Sequence, residues 1–191
     1  MKRTRVRSVF LASVIACVAC VSLACESQSG PAPSAPPGVA MGSITVTSNA
    51  FPRGGQIPVD YSCDGKNMSP QLTWSAPPQG TKSLAIVLDD PDAPGGTFTH
   101  WILFNVAGET LTLAESADPA AIGARLGAND AHNVAYSGPC PPRGEMHRYL
   151  FHVYAIDGVL ANNEGTTRAE LDAALAGHVL GHGALLGGFA H

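Results

Sequence analysis

The chain has 191 residues, of which 45% are apolar and only 14% are charged. This length is enough for one domain with a buried core and too short for two ordinary domains. The 21 glycines and 15 prolines exclude a long-helix bundle or a coiled coil, because these residues interrupt helices and favour turns. The apolar content is too high for a disordered chain.

Charge is unevenly distributed along the chain. Four of the 11 basic residues lie within the first seven positions, whereas all 15 acidic residues lie at or after Glu26. The remainder of the chain is therefore acidic and has no basic stripe. Nucleic-acid binding depends on clustered lysines and arginines that neutralise phosphates, so we expect no nucleic-acid partner.

The N-terminus has the pattern of an export signal over residues 1–24. A basic start is followed by an uncharged, mostly apolar run over residues 8–24. Cys25 ends this run and resembles the lipidated first residue of a bacterial lipoprotein. Cys17 fits the local lipidation pattern as well, but cleavage there leaves a very short apolar run. We predict a signal peptide, a lipid on Cys25 and a place in the cell envelope; the alternatives are soluble export and a permanent membrane helix.

A tether is predicted over residues 25–42, which are rich in proline, serine, alanine and glycine and have no apolar period. Such a tether would hold the domain a short distance from the membrane into which the lipid inserts. The folded domain is predicted over residues 43–191, where β-branched and apolar runs begin.

The domain is predicted to be mainly β. Alternating, β-branched or continuously apolar runs predict the strands. The run at 83–88 is apolar throughout, as expected of a strand buried on both faces. The predicted strands are residues 43–48, 57–62, 72–74, 83–88, 100–106 and 149–156.

One C-terminal helix is predicted over Thr167–Leu180. Leu171, Leu175 and Val179 recur at four-residue steps, and Glu170 stands three residues after Thr167, which is the spacing of a capping box. Residues 118–126 predict a weaker helical turn. Several strands, long loops and these helices favour a β-sandwich with peripheral helices.

Three segments carry residues suited to chemistry. Three carboxylates and two prolines occupy Asp89–Pro94, where a buried strand ends. His100 begins the next apolar strand, and a Gly-Pro loop from Gly138 runs directly into His147. Taken one at a time, these segments are equally consistent with a solvated turn, a core histidine and an ordinary long loop.

The spacing of these segments resembles one known family. The matching stretches are YSCDGKNMSPQLTWSAPP (61–78), SLAIVLDDPDAPGGTFTHWILFNV (83–106) and YSGPCPPRGEMHRYLFHVYAID (136–157). They resemble the phosphatidylethanolamine-binding, or Raf-kinase-inhibitor-like, proteins, and in detail the bacterial YbhB/YbcL branch. The resemblance covers roughly residues 43–191. It implies an antiparallel β-sandwich with a small anion-accepting pocket at one edge.

The resemblance also implies which residues form this pocket. In the family the pocket accepts phosphate-like or carboxylate-like groups, including a phosphoethanolamine head. We expect both imidazoles to donate to a phosphoryl oxygen and the carboxylates to raise their pKa and receive an ammonium group. The expected lining is Asp90, Asp92, His100 and His147; the expected rim is Gly138, Pro139 and Tyr149; the candidate apolar walls are Trp74 and Trp101.

The sequence gives weaker support for other kinds of site. Cys63 and Cys140 lie in an exported domain, so they are either paired in a disulfide or free. His100, His147, Asp90 and Asp92 could hold a metal, but no metal-ligand spacing supports this, and we expect no metal and no cofactor. No catalytic residue is assigned, because the chain has no nucleophile elbow.

We therefore expect an exported protein that binds a small phosphorylated or zwitterionic ligand and touches a membrane through its lipid. The alternatives are a protein-interaction module that inhibits an enzyme such as a kinase or a protease, and a hydrolase. The sequence identifies no protein partner.

Overall fold

The structure is a computed structural model and describes residues 41–191. The predicted signal peptide, Cys25 and almost all of the predicted tether lie outside the described residues. Within residues 41–191, no helix has both the length and the apolar composition needed to cross a bilayer.

Nine strands and one α-helix make up the regular structure of residues 41–191. A short 3-10 helix spans Val59–Tyr61 and the α-helix, α1, spans Arg168–Leu175. The strands are β1 (Gly42–Ser43), β2 (Val46–Thr47), β3 (Leu72–Trp74), β4 (Ser83–Asp90), β5 (Phe98–Ala107), β6 (Thr112–Leu113), β7 (Arg125–Leu126), β8 (Met146–Ile156) and β9 (Val179–Ala190).

The strands form a six-stranded sheet in the order β1-β9-β8-β4-β5-β7 and a three-stranded sheet in the order β2-β3-β6. Neighbouring strands are antiparallel, except that β1 runs parallel to β9. β1 pairs with Gly181 and His182, near the beginning of β9, whereas His147 pairs with Phe189 near its end. The mainly-β prediction is confirmed.

Apolar side chains cover both faces of the large sheet. The inner face packs against the small sheet, and the outer face packs against α1. Leu84, Ile86 and Leu88 of β4 belong to the inner core, whereas Ala85 and Val87 belong to the outer core. This two-sided burial explains the uninterrupted apolar run at 83–88.

The N-terminal strand predictions were partly wrong. Residues 43–48 contain two short strands, β1 and β2, that belong to different sheets. Residues 57–62 form no strand, because Pro58 has no N–H for a ladder and its φ of −62° leads into the 3-10 helix. Residues 118–126 form turns followed by β7 instead of a helical turn.

The helix prediction was correct at its start and wrong at its end. The capping box is formed, with the Thr167 side chain accepting from the Glu170 N–H and the Glu170 carboxylate accepting from the Thr167 N–H. The helix ends at Leu175, Gly177 has a φ of +81°, and the chain then becomes β9. The last element is therefore a strand. A Cβ at Gly183 would lie 1.7 Å from the Ile44 carbonyl oxygen, so the glycines of β9 permit close passage of the N-terminal segment.

Candidate functional site

A cavity of about 580 Å³ lies at the end of the large sheet where β4 ends and β5 and β8 begin. Asp90 comes from β4, His100 from β5 and His147 from β8, so the sheet brings together three segments that are distant in sequence. The remaining lining is mostly apolar and, apart from Phe98 at the start of β5, comes from loops. It consists of Cys63, Asn67, Ala93, Pro94, Phe98, Ala131, Ser137, Gly138, Cys140, Pro141 and Pro142.

Strand alternation selects which acidic residue faces the cavity. Successive side chains of a strand point to opposite faces. Asp90 follows Leu88 on the inner face and lines the cavity, whereas Asp89 points to the outer face, where Thr99 and Arg168 bind its carboxylate.

A β-bulge places His100 on the cavity side. Leu88 pairs with Trp101 and Asp89 pairs with Thr99, so His100 is an extra residue of β5 with no partner on β4. His100 lines the cavity and Trp101 lies in the inner core, so two consecutive side chains share one face. Such a bulge re-aims a side chain that regular pairing would send to the other face.

His147 lies between two carboxylates. Its Nδ1 is 2.7 Å from an Asp90 oxygen and its Nε2 is 3.3 Å from a Glu145 oxygen. Burial opposes protonation of the imidazole, but the hydrogen bonds to Asp90 and Glu145 outweigh burial and raise the pKa of His147. The imidazolium form therefore donates from both nitrogens, and His147 is only 3% exposed.

His100 has the opposite character. Burial lowers its pKa, although the Ser137 carbonyl and the Asp90 charge oppose this shift. Its Nδ1 lies 3.1 Å from the Ser137 carbonyl oxygen, which can only accept, so Nδ1 carries the proton. The neutral ring thus keeps Nε2 as an acceptor. The expected rise in pKa is therefore not found for His100, because burial outweighs the Asp90 charge.

The loop after Ser137 is tied to the loop after Tyr61. Gly138 donates its N–H to Asn67 Oδ1 at 2.7 Å, and a Cβ at Gly138 would lie 2.3 Å from the Tyr61 carbonyl oxygen. Cys63 and Cys140 form a disulfide with Cα atoms 5.5 Å apart, the pairing that the sequence left open. Both sulfur-bearing residues line the cavity, so the disulfide is part of its wall.

Several expected site residues lie beside the cavity and not in its lining. The Asp92 carboxylate accepts from the Arg148 side chain at 2.7 and 2.9 Å, and these bonds lower its pKa to about 2. Tyr149 is fully buried with its ring 5.4 Å from that of His100, and its hydroxyl has no hydrogen-bond partner among residues 41–191. The other such residues are Pro139, which accepts from the Cys63 N–H, and Trp74 and Trp101 in the inner core.

The sequence analysis missed Glu145 and the polar lining residues Asn67 and Ser137. No residue pattern distinguishes them before the loops are folded, although Glu145 stands two residues before His147. Within residues 41–191, the only histidine, cysteine, aspartate or glutamate group of three or more close enough to share an ion is Cys63, Cys140 and His191. Its two sulfurs are in the disulfide.

A second polar cluster lies on the outer face beside α1. The Asp89 carboxylate accepts from Thr99 Oγ1 at 2.8 Å and from the Arg168 guanidinium. His152 Nε2 lies 3.6 Å from the same carboxylate, and His152 Nδ1 lies 3.0 Å from His182 Nε2. Burial lowers the pKa of His152 to about 4 and also lowers that of His182, with the nearby Arg168 charge adding to both. Both rings are therefore neutral near pH 7.

Comparisons with known proteins agree with this architecture. The family model described as phosphatidylethanolamine-binding protein matches residues 47–190. A UPF0098 protein of Methanothermobacter thermautotrophicus is 42% identical over 147 residues, which is 75% of this chain and 97% of that protein. LppC of Mycobacterium tuberculosis, named as a candidate lipoprotein, is 39% identical over 160 residues, 83% of this chain and 75% of LppC.

Two solved structures share the fold. The Chlamydia trachomatis CT736 structure, titled as a candidate phosphatidylethanolamine-binding protein homologue, has a TM-score of 0.73 at 39% identity, covering 78% of this chain and 98% of that chain. Escherichia coli YbcL, titled as a member of the mammalian family, has a TM-score of 0.72 at 30% identity with the same coverage of both chains. The chain belongs to the phosphatidylethanolamine-binding protein family.

Proposed function

We propose that this is an exported, lipid-anchored binding protein whose cavity reversibly captures a small phosphorylated or zwitterionic group, such as phosphoethanolamine. The main support is the convergence of Asp90, His100 and His147 on one cavity. Family membership and the similarity to LppC are consistent with this role and with a place in the cell envelope.

His147 is the proposed donor to the anionic part of the ligand. Asp90 holds its Nδ1 at 2.7 Å, which fixes the ring and favours the imidazolium form. Nε2, which a Glu145 oxygen approaches at 3.3 Å, is then the nitrogen that a ligand oxygen would take. Hydrogen bonds from an ionised donor to an anion are about twice as strong as neutral ones.

The acceptors of the cavity favour a ligand that also carries a donor. His100 keeps Nε2 as an acceptor, and Asp90 supplies a carboxylate. The described lining contains no lysine and no arginine, so a positive charge there has to come from a histidine, and the raised pKa favours His147. A dianionic phosphate alone is poorly balanced by a single charge, whereas an ammonium group on the ligand restores the balance.

Titration calorimetry with phosphoethanolamine tests this proposal. His147→Ala is expected to weaken binding about 10- to 100-fold, because it removes a charge-assisted hydrogen bond. His178→Ala is the matched control, since His178 is exposed and pairs with Asp157 at 2.8 Å, outside the cavity lining. Equal affinity of the two variants would contradict the assignment. Release of inorganic phosphate that depends on His147 would favour a hydrolase instead.

The anchor is tested by partition of the expressed protein between detergent and aqueous phases. Cys25→Ser is expected to move the protein into the aqueous phase, because lipidation needs the thiol. Cys17→Ser is the control and should leave partition unchanged. If Cys17→Ser moves the protein into the aqueous phase and Cys25→Ser does not, the lipid is on Cys17. If the wild type itself partitions into the aqueous phase, the anchor is refuted.

A further inference from the structure

Glu145 lies outside the cavity lining and occupies the second donor of the lining residue His147. Protonated His147 has two N–H groups, and Asp90 binds one of them at 2.7 Å. A Glu145 oxygen lies 3.3 Å from the other, at Nε2. An oxygen of a bound anion would need this same donor. The carboxylate of Glu145 therefore stands where a ligand oxygen would stand.

We propose that Glu145 is a specificity-determining residue of the cavity, which must be displaced by a ligand anion and which favours anions that also carry an ammonium group. This inference rests on the proposed function. An anion without an amine loses the His147–Glu145 contact and acquires a neighbouring carboxylate, which repels it. A zwitterion can pair its ammonium with the displaced carboxylate.

The local structure allows Glu145 to move while Asp90 stays fixed. The Glu145 side chain is 58% exposed, whereas that of Asp90 is 4% exposed. Gly144 precedes Glu145 in a positive-φ turn, and a Cβ at Gly144 would meet nothing within 4 Å. The Glu145 carboxylate therefore can leave His147 without disturbing the core. Asp90 remains as the partner that keeps His147 oriented.

Two esters that differ only in the amine test this role. We expect the wild type to bind phosphoethanolamine more tightly than ethyl phosphate. Glu145→Gln removes the competing charge, so affinity for ethyl phosphate should rise about fivefold, the upper range for an exposed ion pair. Affinity for phosphoethanolamine should stay level or fall. Glu109→Gln is the matched control, because it removes one carboxylate from an exposed position that is not hydrogen-bonded to His147.

The outcomes separate this inference from the proposed function. If the wild type binds and Glu145→Gln shows the same preference between the two esters, the role of Glu145 is overturned and the proposed function stands. No binding of either ester by the wild type or the variants refutes the function, and the specificity role with it. NMR titration of His147 is a further check: Glu145→Gln should lower its pKa and Glu109→Gln should not, and an unchanged pKa overturns the contact.

Discussion

The Cys63–Cys140 disulfide should contribute strongly to the stability of the domain, and its removal is the perturbation that we develop first. The bonded residues are 77 positions apart in sequence. A cross-link that closes a loop of this length restricts the unfolded chain, and the loop-entropy relation gives about 4–5 kcal/mol at 25 °C. Measured losses on removing a native disulfide are about 2–5 kcal/mol. We therefore expect a loss within that range.

Urea unfolding with and without a reductant measures this contribution. The wild type should lose about 2–5 kcal/mol of unfolding free energy when reduced. The double variant Cys63→Ser, Cys140→Ser should start at the lower value and be insensitive to the reductant, which makes it the control. A loss below about 1 kcal/mol would contradict the argument, because surface substitutions alone reach about half that size.

The same perturbation should affect ligand binding. The disulfide joins two lining residues, and next to it the Cys63 N–H donates to the Pro139 carbonyl at 3.1 Å. Without the covalent bond, only hydrogen bonds such as this one and that from the Gly138 N–H to Asn67 Oδ1 hold the two loops together. We expect weaker phosphoethanolamine binding by the reduced protein under conditions where it remains folded. Equal affinity before and after reduction would show that the wall does not need the disulfide.

The two remaining predictions concern stability. The pKa of His152 is lowered from 6.5 to about 4. The stability that comes from keeping this ring neutral is therefore complete above about pH 6.5 and is lost as pH falls towards 4. The free energy of unfolding should fall by about 3 kcal/mol over this range. His152→Gln should reduce this acid-dependent loss in urea unfolding, and an unchanged pH profile would contradict it. Gly183→Ala should cost about 2 kcal/mol or more, since its Cβ would lie 1.7 Å from the Ile44 carbonyl oxygen. Gly188→Ala, with 3.9 Å of clearance, should cost less in thermal denaturation.

Local sequence patterns predicted the strands that carry the cavity. The apolar runs at 83–88, 100–106 and 149–156 lie within β4, β5 and β8. A run of apolar residues can be recognised from the sequence alone, and burial of both strand faces makes such a run uninterrupted. The family resemblance then identified Asp90, His100, Gly138 and His147, which all line the cavity.

Long-range contacts determine what the sequence did not predict. Gly183 of β9 is required because Ile44 crosses the strand closely there. A local reading of Leu171, Leu175 and Val179 extends the helix too far. The lowered pKa of His100 depends on burial, which no local pattern reports. The contact of Glu145 with His147 depends on how a loop turns before β8. Each of these features depends on residues that become neighbours only when the chain folds.

The position of β1 has a consequence for how the cavity meets its surroundings. The chain enters the domain beside Gly181 of β9, whereas His147 at the cavity lies beside Phe189. Eight residue steps along a strand span about 26 Å. In the anchored protein that we propose, His147 thus lies about 26 Å from the place where the predicted tether joins the domain. Anchoring and ligand capture are thereby assigned to opposite ends of β9, so that changes in the tether should leave the cavity residues in place.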